Sequence, residues 1–285
     1  MENYRSIWTW LFRTPHRLGF ADAAGVSTRY LEAGSPDKPP LLLLHGTAGS
    51  LENFCANIAP LAEHYHVFAI DMLGCGFTDK PDRDYLIPDY ADHAFAFLDA
   101  MKIENSRIIG VSLGSWVGAQ MAAVNPQRVE KLVMVAPAGI IKDVEEEARV
   151  AAGVKKRRMN AAEAPSWDGV KGILSRMVHN PDVLMDDLIA ARLAIYSQPE
   201  MQAAMPHLLA FAGSGGDLKL DQWRAMTTPL LAVAAVYAGD MFMKNAYSIA
   251  ELGPTAELLE LKGCDHWAQY ERADAFNAAA IAFLA

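Results

Sequence analysis

Ser112 sits at the centre of Gly110-Val111-Ser112-Leu113-Gly114, after Arg107-Ile108-Ile109 and before the small-residue stretch Ser115–Ala123. Strand, sharp turn and helix in that order place the serine at an apex with strained backbone. Small residues two positions to either side avoid the clashes of such a turn. The turn lifts Oγ clear of a sheet and aims the Leu113 N–H, with the start of the helix, at a developing negative charge. A serine hydroxyl is a poor nucleophile at neutral pH. It needs a base within hydrogen-bond reach and an acid that orients the base. His266 and Asp240 are the candidates, because each follows an apolar strand run, at the carboxyl ends where α/β sheets hold ligands.

The other histidines fit less well. His64 and His66 flank the wrong end of a strand, His16 precedes the fold, His93 is inside a helix, and His179 and His207 fall in a helical segment. Among the acids, Asp71 ends a strand but leads into the Gly-rich loop 71–81 and is expected to serve it. Asp265 adjoins the histidine in sequence, and Asp217 and Asp221 begin a helical stretch. An oxyanion hole needs two backbone donors. Leu113 supplies one, and the loop His45-Gly46-Thr47-Ala48-Gly49-Ser50 is expected to supply the other from Thr47 or Ala48.

The elements that must hold these residues alternate. Two strands run from about Leu18 to Ala33 around Gly25, and Leu41–Leu44 is a continuous apolar run suited to a strand covered on both faces. A helix Leu51–His64, a strand His66–Asp71, a helix Tyr90–Lys102, the strand Arg107–Val111, a helix to Val124 and a strand Val129–Ala136 follow. This alternation predicts a mostly parallel, doubly wound α/β sheet. From about Gly139 to Gly216 only helical patterns occur, which predicts an insertion over the sheet. Its Met and aromatic residues read as pocket lining or as its own core. Alternation resumes with Leu230–Val236, Phe242–Leu252, Thr255–Leu261 and a last helix Arg272–Leu284. The expected organisation is a core over 1–138 and 217–285, interrupted by a helical cap over 139–216.

The chain has 285 residues, 52% hydrophobic and 21% charged, with a formal net charge of −9. That balance argues against a nucleic-acid partner, which would need a basic face. Lys155-Lys156-Arg157-Arg158 and Glu145-Glu146-Glu147 read as solvated helix faces. Three cysteines without CxxC spacing point to reduced thiols and a cytoplasmic protein. No metal-ligand spacing and no apolar run of membrane-spanning length is present. The expectation is therefore no cofactor and no membrane span.

In this order the motifs resemble the α/β-hydrolase superfamily over nearly the full length: His45-Gly46, D-x-L-G-x-G-x-T-D-x-P at 71–81, the 110–114 elbow, Gly239-Asp240 and Gly263–Trp267. The order Ser112, Asp240, His266 matches that superfamily's triad. The resemblance implies an eight-stranded, mostly parallel sheet flanked by helices, with a helical cap. His266–Gln269 with Glu271-Arg272, and Asn180-Pro181 through Arg192 to Glu200, are most similar to the meta-cleavage product hydrolases. Those enzymes cleave carbon–carbon bonds in acidic products of aromatic ring fission. The likeness implies that Arg192 binds the acid end of a small substrate, that Trp267 packs on a dienoate and that Asn53 belongs to the oxyanion loop. Taken alone, Arg192 reads as a solvated helix arginine and Trp267 equally as core. The elbow departs from that subfamily at Val111 and Ser115, so an esterase, lactonase or amidase on an acid-bearing substrate is the alternative, and a non-catalytic receptor the third reading. The subfamily's frequent homo-oligomers would give Trp8, Trp10 and Phe12 a place to bury.

Overall fold

Leu41–Leu44 are fully buried, as a strand covered by helices on both faces requires. They belong to β3 of an eight-stranded sheet in a computed structural model that describes residues 6–140 and 144–285, with the Glu147 side chain left out. Helix α1 (Ile7–Leu11) precedes β1 (His16–Ala23) and β2 (Val26–Ala33), joined by a tight turn in which Ala24 and Gly25 both have positive φ, 53° and 87°. Next come β3 (Pro40–Leu44), α2 (Ile58–Ala62), β4 (His66–Ile70), α3 (Ile87–Ala100), β5 (Ser106–Val111), α4 (Leu113–Val124) and β6 (Val129–Val135). The spatial order is β1-β2-β4-β3-β5-β6, continued by β7 (Leu230–Ala235) and β8 (Ala256–Leu261). Among the described residues, only the β1–β2 and β2–β4 pairs are antiparallel.

Between β6 and β7 the described chain is helical: α5 (Val144–Glu163), α6 (Trp167–Leu174), α7 (Asp186–Tyr196), α8 (Pro199–Leu208) and the short α9 (Leu220–Arg224). After β7 come α10 (Met241–Leu252), then β8, α11 (Ala268–Glu271) and α12 (Ala273–Leu284).

One expected helix is broken. Leu51–His64 divides into a 3₁₀ turn, Leu51–Phe54, and α2. Tertiary hydrogen bonds impose the break. Leu51 N–H goes to Asp71 Oδ1 at 2.8 Å, and buried Asn57 donates from Nδ2 to Gln269 O and Asn277 Oδ1, both at 2.8 Å. The last helix is preceded by a separate turn, α11, divided from α12 at Arg272 with φ −121° and ψ 43°. Asp71 serves the loop after β4, as expected: Oδ2 accepts from Phe77 N–H at 2.9 Å and from Arg29 at 3.2 Å.

Helix α1 lies against its own chain. Ile7 and Leu11 are buried, and Trp10 meets Tyr270 edge-on at 5.7 Å. Trp10 is thereby half-buried within its own chain. Trp8 and Phe12 stack on each other at 5.7 Å and stay exposed. No helix of the described residues is long and apolar enough to cross a membrane.

Candidate active site

Ser112 joins β5 to α4 with φ 53° and ψ −113°, a conformation that costs energy for a non-glycine residue. The flanking glycines are there for space. A Cβ on Gly110 would lie 2.3 Å from Gly114 O, and one on Gly114 would lie 2.0 Å from Leu44 O. The turn is locked by Ser112 N–H on Val135 O at 2.8 Å and by Ser115 N–H and Oγ on Ser112 O at 2.9 and 2.6 Å. Ser115 Oγ also accepts from Ala138 N–H at 3.2 Å. Its hydroxyl is thus committed to holding the turn rather than to a substrate.

Asp240 and His266 follow β7 and β8, and both line the cavity that Ser112 lines, about 270 Å³ in volume. No hydrogen bond links the three side chains among the described residues. Asp240 instead caps α10, accepting from Met243 N–H at 3.0 Å, and burial raises its pKa. The His266 ring lies edge-on to Phe242 at 4.5 Å. Burial lowers its pKa to about 4, more than the Asp265 charge offsets, so the ring is a neutral base at neutral pH. Asp265 is turned to the backbone, its Oδ1 accepting from His266 N–H at 2.7 Å. His45, fully buried, precedes the loop that carries Thr47. Its Nδ1 lies 2.8 Å from Gly46 O, and Met72 N–H donates to its Nε2 at 3.0 Å. Those partners require the neutral Nδ1–H tautomer, in line with a pKa that burial lowers to about 3.

The oxyanion-loop candidates separate. Thr47 lines the cavity. Ala48 is fully buried with φ 50°, its backbone hydrogen-bonds the Cys75 thiol, and its carbonyl accepts from Arg192 Nη1 at 2.6 Å and Tyr196 Oη at 3.2 Å. Thr47 thus borders the cavity with Ser112, and Ala48 does not.

Arg192, on α7, is only 2% exposed, which excludes the solvated-helix reading. Besides Ala48 O, its guanidinium reaches Ser50 Oγ at 3.2 Å and Asn53 Oδ1 at 2.8 Å, while Nε is buried without a partner. All its partners are neutral, and it lines the cavity with Asn53 and Trp267. The structure thus brings together every expected site residue except Leu113 and Ala48 in that one cavity, and Leu113 lines an adjoining one. The adjoining space is about 80 Å³, apolar, and bounded by Trp116, Phe211, Ile140 and Val154. Ser112 and Thr47 border both.

The sequence reading missed three arginines. The run 155–158 was expected to be solvated, yet Arg158 is buried and donates to Tyr196 Oη at 2.8 Å. Arg157 and Arg176 join it in the cavity wall. The signal was present in the sequence. Val150, Val154 and Arg158 recur at i, i+4 and i+8, so they share one face of α5, and that face turns inward.

Fold, elbow and cavity define an α/β hydrolase, and residues 39–273 match the alpha/beta hydrolase fold family, to which the chain belongs. Among curated proteins it is 28% identical to the 2-hydroxy-6-oxo-6-(2'-aminophenyl)hexa-2,4-dienoic acid hydrolase of Metapseudomonas resinovorans, covering 93% of this chain and 90% of that one. It is 26% identical to the 2-hydroxymuconate semialdehyde hydrolase of Pseudomonas sp. strain CF600, covering 92% of each. Among solved structures, a serine hydrolase involved in carbazole degradation superposes with a TM-score of 0.78 at 27% identity, over 95% of this chain and 99% of that one. The chain is thus an α/β hydrolase like the meta-cleavage product hydrolases.

Proposed function

We propose that the protein is a serine hydrolase that cleaves a carbon–carbon bond in an acidic vinylogous diketone from aromatic ring fission. One observation carries this reading: Ser112 stands where an arginine-walled cavity meets an apolar one. A substrate with a carboxylate at one end, a ketone in the middle and an apolar acyl group at the other would span them. Arg192 binds the carboxylate, Trp267 packs on the conjugated chain and the apolar space takes the acyl group. The likeness to dienoic acid hydrolases supports the same assignment.

In this reading His266, oriented by Asp240, assists conversion of the enol to the keto form. Ser112 or a water activated by His266 then adds to the ketone carbonyl, and the oxyanion is held by the Leu113 and Thr47 N–H groups. Productive alignment requires Asp240 to turn from the α10 cap toward His266. The helical segment 139–216 closes the site.

Two substrates test the reaction. A yellow ring-fission dienolate is expected to bleach rapidly, with p-nitrophenyl acetate cleaved slowly and Ser112→Ala inactive on both. The reverse preference would sink the carbon–carbon assignment in favour of an esterase using the same residues.

A further inference from the structure

Arg158 and Arg192 come from different helices, yet both meet one small group of atoms. Arg158 donates to Tyr196 Oη at 2.8 Å, Tyr196 Oη donates to Ala48 O at 3.2 Å, and Arg192 donates to that same carbonyl at 2.6 Å. The Arg192 guanidinium carbon also lies 5.8 Å from the Tyr196 ring centre. Two buried cations thus flank one tyrosine with neutral partners only, and among the described residues neither forms an ion pair. A buried cation without a counter-ion is costly unless a ligand supplies the charge.

Arg157 and Arg176 extend the positive wall. Both also line an outer groove of about 350 Å³ that they share with Asn160 and Asp168. Burial and then the charges of Arg176 and Arg158 lower the Arg157 pKa, a sign of crowded like charge. The acids facing this wall across the cavity are Asp240 and Asp265, with His266 neutral beside them. Arg157 and Arg176 are exposed and share the outer groove with Asp168, so the two buried guanidiniums, Arg158 and Arg192, are the charges without an ion-pair partner among the described residues. A single substrate carboxylate on Arg192 would neutralise one of them.

We infer that the polar end of the substrate carries two carboxylates, the second held by Arg158 with Arg157 beside it. The inference rests on the proposed reading of Arg192 and adds a second acid subsite to it. A carboxylated aromatic ring, opened by a dioxygenase-type ring fission, is the class of reaction that would supply such a compound.

The test uses Ser112→Ala protein, so that turnover plays no part, and titration calorimetry at low salt. The probes are glutaconate, a five-carbon unsaturated diacid, and its monomethyl ester, which is close in shape with one charge fewer. Glutaconate is expected to bind roughly tenfold tighter, as one added charge-assisted contact predicts. Arg158→Gln should erase the preference and leave ester affinity unchanged. Arg157→Gln, at a more exposed position, should cut the preference about threefold and keeps the test decisive if the buried variant does not fold. Equal affinities, or an undiminished preference in Arg157→Gln, overturn the second subsite. The two readings fail separately: rapid bleaching of a dienolate by the intact enzyme without a glutaconate preference removes only the subsite. A preference without dienolate turnover removes only the carbon–carbon chemistry.

Discussion

At the scale of single residues, the elbow is decided by clearances. A Cβ on Gly114 would meet Leu44 O at 2.0 Å, and backbone cannot move aside as a flexible side chain can. Gly114→Ala is therefore expected to lower stability by about 3 kcal/mol or more, read as a lower denaturant midpoint, with activity lost in the remaining folded fraction. An alanine variant that keeps both would refute the steric account. In the proposed reaction, His266 sets the pH dependence. A base must be neutral to accept a proton, and burial lowers this histidine from 6.5 to about 4. The acid limb of kcat/KM is therefore expected below about pH 6, with a plateau across neutrality. The sign for stability is the same. Between about pH 6.5 and 4 the unfolded histidine binds a proton that the folded one does not, so its contribution falls as pH falls. A limb centred at or above 6.5 would show that Asp240 already engages the ring in the free enzyme.

At the scale of elements, the sequence was most legible where the backbone alone decides. Continuous apolar runs located the buried strands, and Gly110 to Gly114 located the elbow, because burial on both faces and a crowded turn leave their mark on residue type. Legibility failed where partners distant in sequence decide. Nothing local in Leu51–His64 announces that Asp71 and Asn277 will split that helix. Nothing in Lys155–Arg158 taken as a charge run announces that one arginine turns inward, although the helical spacing from Val150 does. That Ser112, Asp240 and His266 would share one cavity was readable from their types and order, whereas the burial of Ala48 away from it was not, since that depends on Arg192 and Tyr196 gripping the Ala48 carbonyl. That grip links α5 and α7 to the loop 45–50, the proposed source of an oxyanion donor. Tyr196→Phe removes the hydroxyl on which Arg158 rests, and leaves that guanidinium buried without its partner. The expected result is a loss of about 1–3 kcal/mol of stability, and a fall in kcat of roughly tenfold as Thr47 loses its bracing. An unchanged kcat would show that the loop holds its posture without α5.

At the scale of the whole molecule, one carboxylate ties helix α7 to helix α1. Asp187 sits in the first turn of α7, where the helix dipole favours a negative charge. Its Oδ2 accepts from Ile7 N–H at 2.9 Å and from the Ser6 hydroxyl, so the same charge also serves the start of α1. Helix α1 is in turn anchored by buried Ile7 and Leu11 and by Trp10 on Tyr270. Two helix N-termini share one acid, and α7 is the helix that carries Arg192 into the cavity. Asp187→Ala removes both interactions and is expected to destabilise the protein by about 1–2 kcal/mol. Because Arg192 lies five residues further along the same helix, loosening α7 should weaken the hold on the substrate's acid end more than it disturbs Ser112. The expected signature is a several-fold rise in KM with kcat nearly unchanged, and removal of residues 1–13 should reproduce it. A fall in kcat at constant KM would show instead that this tie acts on the nucleophile through the core, and that α7 is placed by its contacts with the loop 45–50 alone.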